Sequence, residues 1–350
     1  MDQNLVLIAG ATGQIGASIA RHLLGRDGWN LLGLSRRTGS GGSFAMLPVD
    51  LLDAEECRNR LQGRRITHLV YAARYDHAGG QPESIDINLQ MLSSLLAAIE
   101  SRPELRHIHM VHGTKYYGHN AGPRPVPYRE DAPRAQSPVF YYAQQDLLAR
   151  RQRGRAWGWS ISRPHTFCDL ALDEPRSITL LVAVYASILK ERGLPLQFPG
   201  TGHAFAARTQ FTWLPMLARA IEWMMSSPDC TNQAFNVVNG DAVRWSTLWP
   251  AIADYFDMDC GEPITSSGVL SHFPEINAGI WDHMVSVYGL RPSELASVVQ
   301  WPYGDYAFSP EWDVVSSMEK ARAYGFTESV DTMQMWRNSF DFYRTHKIIP

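Results

Sequence analysis

The stretch LVLIAGATGQIG, residues Leu5–Gly16, decides the fold. A five-residue apolar run ends at Gly10, and further glycines follow at the spacing GxxGxxG. Apolar residues then recur at helical spacing from Ile15 to Leu23. A buried strand, a glycine turn and a helix in this order predict a dinucleotide-binding loop, because glycines let the backbone approach a pyrophosphate and the helix N-terminus attracts anions. An ordinary glycine-rich turn is the alternative, and the flanking strand and helix argue against it. The predicted contacts are Gly10, Thr12, Gly13, Gln14, Ile15 and Gly16.

Strand-like and helix-like segments alternate through the first half of the chain. The further predicted strands are LLGLS (31–35), AMLPVD (45–50), THLVYAA (67–73), HIHMVHG (107–113) and WSISRP (159–164). This alternation predicts an α/β fold, a Rossmann-type doubly wound parallel sheet. We expect a nucleotide-binding domain over residues 1–166 and a smaller, mainly helical substrate lobe over 167–350. A later strand near residues 234–240, AFNVVNG, is predicted to rejoin the sheet.

Composition excludes several other classes of protein. The chain has 350 residues, 45% hydrophobic and 19% charged, which is typical of a globular enzyme. A net charge of −3 gives no reason to expect a nucleic-acid partner. Cys57, Cys168, Cys230 and Cys260 lie far apart, which argues against a structural zinc site or a disulfide framework and for a reducing compartment. No apolar run approaches the roughly 20 residues of a membrane span, so we expect a cytoplasmic protein.

The end of the second predicted strand selects the cofactor. It reads Ser35-Arg36-Arg37, where an enzyme specific for NAD would carry an acidic residue. Paired guanidinium groups suit a 2′-phosphate, so the sequence predicts NADP(H). Other residues at strand ends are predicted to pass along the cofactor: Asp50, Leu51, Ala72 and Ala73.

The segment PVFYYAQQD, residues 138–146, is predicted to carry a catalytic tyrosine, Tyr142. Many nucleotide-dependent reductases have a lysine four residues after that tyrosine, but here the position holds Asp146. Lys115, in GTKYY just after the fifth strand, is predicted to supply the missing charge. A cation there would lower the tyrosine pKa from about 10 and stabilise a developing enolate.

Those two motifs resemble the progesterone 5β-reductase and iridoid synthase family of atypical short-chain dehydrogenases/reductases. The resemblance extends over the whole chain, including NLQMLSSLLAAI, AFNVVNGDAVRWSTLWP and the terminal KIIP. It implies that Lys115 and Tyr142 are the catalytic pair and that Arg36 and Arg37 bind the cofactor. It also implies that Pro164 precedes backbone contacts to the cofactor and that Ser177 lies near the nicotinamide. The chain departs from the family pattern at Tyr116, Val139 and Gln145, and it has Arg74 where the family has a pocket tryptophan.

Together these features predict an NADPH-dependent ene-reductase acting on a small α,β-unsaturated carbonyl compound by 1,4-reduction. A carbonyl reductase or alcohol dehydrogenase of the same fold, acting by 1,2-reduction, is the first alternative. A non-catalytic NADP(H)-sensing regulator is another, which the presence of both Lys115 and Tyr142 disfavours. A nucleotide-sugar epimerase fits poorly, since such enzymes use NAD and a Tyr-x-x-x-Lys motif. A homodimer is a candidate assembly.

Three residues are predicted to bind the substrate: Arg74, Tyr75 and Tyr141. An arginine at position 74 would make the mouth of the site cationic and favour a substrate with a carboxylate. The alternative is that Arg74 turns outward or pairs with an acid such as Asp76. The histidines His107, His109 and His112 suggest a metal site, but we interpret them as structural because no carboxylate or cysteine is close in sequence.

Overall fold

The computed structural model describes residues 4–36, 43–75, 83–136, 138–172, 174–265 and 268–350. The strands in these ranges are β1 (Asn4–Ala9), β2 (Trp29–Ser35), β3 (Ala45–Pro48), β4 (His68–Tyr71), β5 (His107–Val111), β6 (Gly158–Pro164), β7 (Thr166–Cys168), β8 (Leu196–Gln197), β9 (Arg208–Thr209), β10 (Phe211–Trp213), β11 (Gln233–Val237), β12 (Val243–Arg244) and β13 (Cys260–Gly261). The helices are α1 (Gln14–Leu23), α2 (Ala54–Leu61), α3 (Ile85–Ile99), α4 (Phe140–Gln152), α5 (Ile178–Glu191), α6 (Gly202–Ala206), α7 (Leu214–Ser226), α8 (Trp245–Tyr255), α9 (Phe273–Tyr288), α10 (Leu295–Val298), α11 (Trp301–Ala307), α12 (Glu319–Ala323) and α13 (Thr332–Thr345).

The main sheet has seven strands in the described ranges, in the order β11-β6-β5-β4-β1-β2-β3, and all its pairings are parallel. Read from β3, this is the doubly wound order 3-2-1-4-5-6 with β11 added beyond β6. The strand order reverses between β1 and β4, which is where such sheets bind ligands. The predicted fold class is confirmed, and the strand expected near residues 234–240 is β11.

Helices cover both faces of the sheet, as the almost unbroken burial of β4 and β6 requires. On one face α2, α3 and α4 pack in sequence over a core that includes Leu92, Leu96 and Ile108. On the other face α1 packs against α7, with Ile19 and Ile221 in one cluster. Because α7 and β11 follow residue 166, the later chain takes part in the sheet domain, and a boundary at residue 166 stays a prediction.

Most of the remaining helices enclose a separate aromatic core. Helices α5, α8 and α13 contribute to it, and its buried rings include those of Phe198, Trp245, Trp249 and Trp336. These rings meet largely edge to face, the arrangement that aromatic side chains prefer in a core. In the described part of the chain, none of the helices has the length and apolar character needed to cross a membrane.

The strand histidines belong to a buried hydrogen-bonded row between β5 and β6. Ser160 Oγ lies 2.8 Å from both His107 Nε2 and His109 Nδ1, and Ser162 Oγ lies 3.0 Å from His109 Nε2. Among the described residues no group of three or more histidine, cysteine, aspartate or glutamate side chains could hold a metal ion. The serine contacts give His107 and His109 a structural role within the sheet.

Candidate active site

The glycine loop joins β1 to α1 at the point where the strand order reverses. Gly10 has φ +81°, and a Cβ there would lie 2.9 Å from the backbone of Ala72 at the end of β4. A Cβ on Gly16 would lie 2.2 Å from the Gly10 carbonyl oxygen. Both positions therefore require glycine, and the first turn of α1 contains no acidic residue. The loop leaves an open cradle with helix N–H groups available to an anion.

A cleft of about 600 Å³ extends from this loop along the carboxyl ends of the strands. Most of the predicted cofactor contacts line it: Gly10, Thr12, Gly13, Gln14, Ile15, Gly16, Ser35, Arg36, Asp50, Leu51, Ala72 and Ala73. Arg36 is exposed at the end of β2. Arg37 lies outside the described residues, so its predicted contact with the cofactor stays a prediction.

Tyr141, in the first turn of α4, also lines the cleft. Its ring stacks on the ring of His112, with the centroids 4.5 Å apart and the planes 20° apart. Burial raises the pKa of Tyr141 above its ordinary value of 10, and the nearby Glu83 carboxylate adds to that rise. The phenol therefore stays protonated at neutral pH and can donate a hydrogen bond to an oxygen in the cleft.

His112 is 2% exposed and also lines the cleft. Burial lowers its pKa well below 6.5, and the Arg163 guanidinium acts in the same direction. The imidazole is therefore neutral. Neither of its ring nitrogens has a hydrogen-bond partner among the described residues.

Tyr142 does not line the cleft. Its hydroxyl donates to the Tyr116 carbonyl oxygen at 2.5 Å and accepts from the Ala135 N–H at 2.9 Å. Asp146, one helical turn later, binds both terminal nitrogens of Arg134, whose guanidinium lies 5.0 Å from the centre of the Tyr142 ring. The aspartate that stands in the place of a lysine is thus part of an ion pair outside the cleft. Of the two neighbouring tyrosines, Tyr141 lines the cleft and Tyr142 does not, and the catalytic role expected of Tyr142 stays a prediction.

Lys115 lies in a short 3-10 turn, Thr114–Tyr117, directly after β5. Its Nζ is 3.2 Å from Glu83 Oε1 and 5.6 Å from the centre of the Tyr306 ring. Arg74 Nη1 donates to the same Glu83 oxygen at 2.9 Å. Arg74 therefore pairs with an acid, as one of the two sequence interpretations held, although that acid is Glu83; Asp76 lies outside the described residues.

A family model for the PRISE-like Rossmann-fold domain matches residues 54–350. The chain belongs to the PRISE-like family. It is 30% identical to the 3-oxo-Delta(4,5)-steroid 5-beta-reductase of Arabidopsis thaliana and 28% identical to the (S)-8-oxocitronellyl enol synthase ISY1 of Nepeta racemosa, in each case over 99% of this chain and 94% of the relative. It is also 29% identical to the short chain dehydrogenase gsfE of Penicillium aethiopicum, over 81% of this chain and 80% of the relative. The predicted family is confirmed, and this PRISE-like chain is an oxidoreductase of the short-chain dehydrogenase/reductase type.

Solved structures with a similar fold are more distant in sequence. The UDP-glucose 4-epimerase of Thermus thermophilus, in complex with NAD, is 18% identical with a TM-score of 0.66, covering 97% of this chain and 99% of that one. The UDP-glucuronic acid 4-epimerase of Bacillus cereus, in complex with NAD, is 13% identical with a TM-score of 0.68 and the same coverage. These similarities support the fold alone.

Two residues implied by the family resemblance do not line the cleft of this PRISE-like chain. Pro164 ends the buried strand β6. Ser177 caps α5 by accepting from the Leu180 N–H, and its Oγ lies 3.1 Å from the hydroxyl of Tyr343. This buried position places Ser177 at the contact between α5 and α13, and it does not support the predicted nicotinamide contact.

Several residues of the site had not been predicted from the sequence. Phe167, Glu174 and Arg176, which follow β6 in the chain, contribute to the lining, and the Arg176 guanidinium lies 4.8 Å from the centre of the Tyr303 ring. His112 also lines the cleft, and Glu83 lies beside it in contact with Arg74. The predicted substrate residues Arg74, Tyr75 and Tyr141 all line the cleft. The lining is thus built from both halves of the chain.

Proposed function

We propose that this PRISE-like chain is an NADPH-dependent reductase of α,β-unsaturated carbonyl compounds, with Tyr141 as the hydrogen-bond donor to the carbonyl oxygen. The observation that supports this most is the position of Tyr141, at the carboxyl edge of the sheet and in the lining of a cleft that begins at a glycine cradle. The relatives named as a steroid 5-beta-reductase and an enol synthase agree with this class of substrate.

Each side chain has a physical role in such a 1,4-reduction. A bound nicotinamide would supply the hydride. The Tyr141 phenol holds the carbonyl oxygen, and its raised pKa keeps the proton in place until negative charge develops on that oxygen. Lys115 is the further residue proposed to offset the negative charge of the enolate. Its Nζ lies 3.2 Å from Glu83 Oε1, and the Glu83 carboxylate is close enough to Tyr141 to act on its pKa. Solvent then protonates the α-carbon.

The cofactor assignment rests on the loop and on Arg36. The cradle at Gly10 and Gly16 fits a pyrophosphate, because a side chain at either position would fill it. The exposed guanidinium of Arg36 at the end of β2 suits a 2′-phosphate, and no acidic residue follows that strand directly. NADP(H) is therefore the proposed cofactor. A cytoplasmic location and a homodimer stay predictions.

The test is a product assay with NADPH and cyclohexenone. We expect the saturated ketone, cyclohexanone, as the main product, with NADPH consumed in equal amount. The allylic alcohol as main product would instead identify a carbonyl reductase. NADPH binding, followed by fluorescence, without turnover of any enone or simple carbonyl compound would identify a nucleotide-binding regulator.

A further inference from the structure

Glu83 lies beside the cleft, in contact with Arg74, which lines it. A single oxygen, Oε1, accepts from Arg74 Nη1 at 2.9 Å and lies 3.2 Å from Lys115 Nζ. The three side chains are only 32%, 26% and 26% exposed for Arg74, Lys115 and Glu83. Charges that are partly removed from water act on one another more strongly than charges on an open surface. The Glu83 carboxylate therefore has a large influence on the electrostatic potential around Arg74 and Lys115.

The side chains around Glu83 are those that a substrate would contact with the part of it that lies away from its reacting carbonyl group. Tyr306 lies on the other side of Lys115, and Tyr303 lies under Arg176. Among the residues that the structure describes, Arg74 and Lys115 contact the Glu83 carboxylate, and Lys115 and Arg176 each face an aromatic ring. A substrate that binds Tyr141 through its carbonyl oxygen would place its remaining atoms beside these rings and beside the carboxylate.

We propose that Glu83 determines substrate specificity by charge: it favours neutral unsaturated carbonyl compounds and disfavours those that carry a carboxylate. This inference rests on the proposed function. A substrate carboxylate that approaches Arg74 or Lys115 would have to lie next to Glu83 or displace it from these two cations. Either arrangement brings like charges together or leaves a partly buried carboxylate without its two partners, and both cost free energy. This proposal is the opposite of the sequence-based expectation of an acidic substrate held by Arg74, which stays a prediction.

The experiment compares a cyclic enone carboxylic acid with its methyl ester, using NADPH, in the unaltered enzyme and in Glu83→Gln. The amide keeps the shape and an acceptor oxygen but removes the charge. We expect the unaltered enzyme to prefer the ester in kcat/KM. In Glu83→Gln the ratio of ester to acid should fall about tenfold, the size expected for one partly screened charge interaction.

Two control variants make the comparison specific. Glu328→Gln removes the same charge from a surface pair with Arg219, 2.7 Å apart, and should leave the ratio unchanged. Glu83→Asp keeps the charge and should retain the preference for the ester. Glu83→Gln with a ratio within twofold of the unaltered enzyme would overturn the proposal. An equal fall in kcat for acid and ester would also overturn it, because Glu83 would then act only by positioning Lys115.

A binding measurement separates this inference from the proposed function. The saturated keto acid and its methyl ester are titrated calorimetrically into each variant with NADP⁺ present. Tighter binding of the acid to Glu83→Gln than to the unaltered enzyme, with the ester unchanged, supports charge selection even where no enone is turned over. Equal affinities for the acid in both proteins contradict it.

Discussion

Tyr141 and Tyr142 are neighbours in the chain, yet only the first has its ring in the cleft. Tyr141 stacks on His112, whereas the Tyr142 hydroxyl binds the backbone at Tyr116 and Ala135. Successive residues of an α-helix are rotated by about 100°, so the two side chains leave α4 on different sides. This difference gives a direct test of which tyrosine acts in the reaction.

Tyr141→Phe should lower kcat for an enone by about 100-fold or more, because it removes a donor to the developing oxyanion. Tyr142→Phe is the matched control and should keep kcat within about threefold. It should instead lose about 1–3 kcal/mol of unfolding free energy, since the Ala135 N–H and the Tyr116 carbonyl lose their partner. Steady-state kinetics and urea unfolding of both variants measure these effects. The opposite result, with Tyr142→Phe the less active enzyme, would return the role to Tyr142.

Lys115→Ala should also lower kcat, with the enzyme still folded, because the half-buried ammonium is expected to stabilise the same oxyanion as Tyr141. Groups that act on one charge show less than additive effects. In the double variant with Tyr141→Phe, the loss should therefore be smaller than the product of the two single losses. A rate within twofold of the unaltered enzyme for Lys115→Ala would show that the positive charge comes from another residue.

Replacing Arg36 and Arg37 together by alanine should remove most of the preference for NADPH over NADH. Each lost charged hydrogen bond to a 2′-phosphate would cost about 1.5–3 kcal/mol, which appears as a higher KM for NADPH alone. Arg60→Ala, on the surface of α2, removes an arginine outside the cleft and should change neither cofactor constant. Equal kcat/KM with the two cofactors in the unaltered enzyme would contradict the assignment.

Acid should destabilise the protein through its buried histidines. Burial lowers the pKa of His68 to about 4 and of His107 to about 3, and it also lowers the pKa of His109 and His112. An unfolded histidine titrates near 6.5, so between pH 6.5 and about 4 the unfolded chain binds more protons than the folded one. Stability is complete above that range and falls as the pH drops through it, by about 1.4 kcal/mol per pH unit for each histidine.

Urea unfolding at pH 7.5, 6.5, 5.5 and 4.5 measures this slope. His68→Asn removes one of the titrating groups and should reduce the slope by about 1.4 kcal/mol per pH unit. A stability that is constant down to pH 4.5 would show that these rings are not buried in the folded protein.

The sheet and the phosphate loop could be predicted because their signals are local. An apolar run, a glycine at positive φ and a helical repeat follow one another within residues 5–23. Each of these patterns is compatible with few backbone conformations. The ends of the strands then follow from the rule that parallel strands place their carboxyl ends at one edge. For this reason almost all of the predicted cofactor residues that the structure describes line one cleft.

The part of the cleft around Tyr141 was harder to predict. It depends on how α4 is rotated about its own axis and on contacts between residues that are far apart in the sequence. Nothing in FYY fixes which tyrosine faces the cleft; that depends on where α4 begins and how it packs on the sheet. Glu83 stands just before α3, and its pairing with Lys115 requires two separate loops to meet. Arg176 and Tyr303 lie more than 120 residues apart in the chain, and no local pattern indicates that they meet.

The position of β11 has a consequence for how the protein is made. β6 is buried along its whole length and pairs with β5 on one side and with β11 on the other. While residues 233–237 have not yet left the ribosome, β6 is an open edge with unpaired N–H and carbonyl groups and with apolar side chains. A polypeptide cut at residue 166 keeps that edge open and should associate with copies of itself. The later half of the chain thus protects the earlier half from aggregation before it contributes to any chemistry.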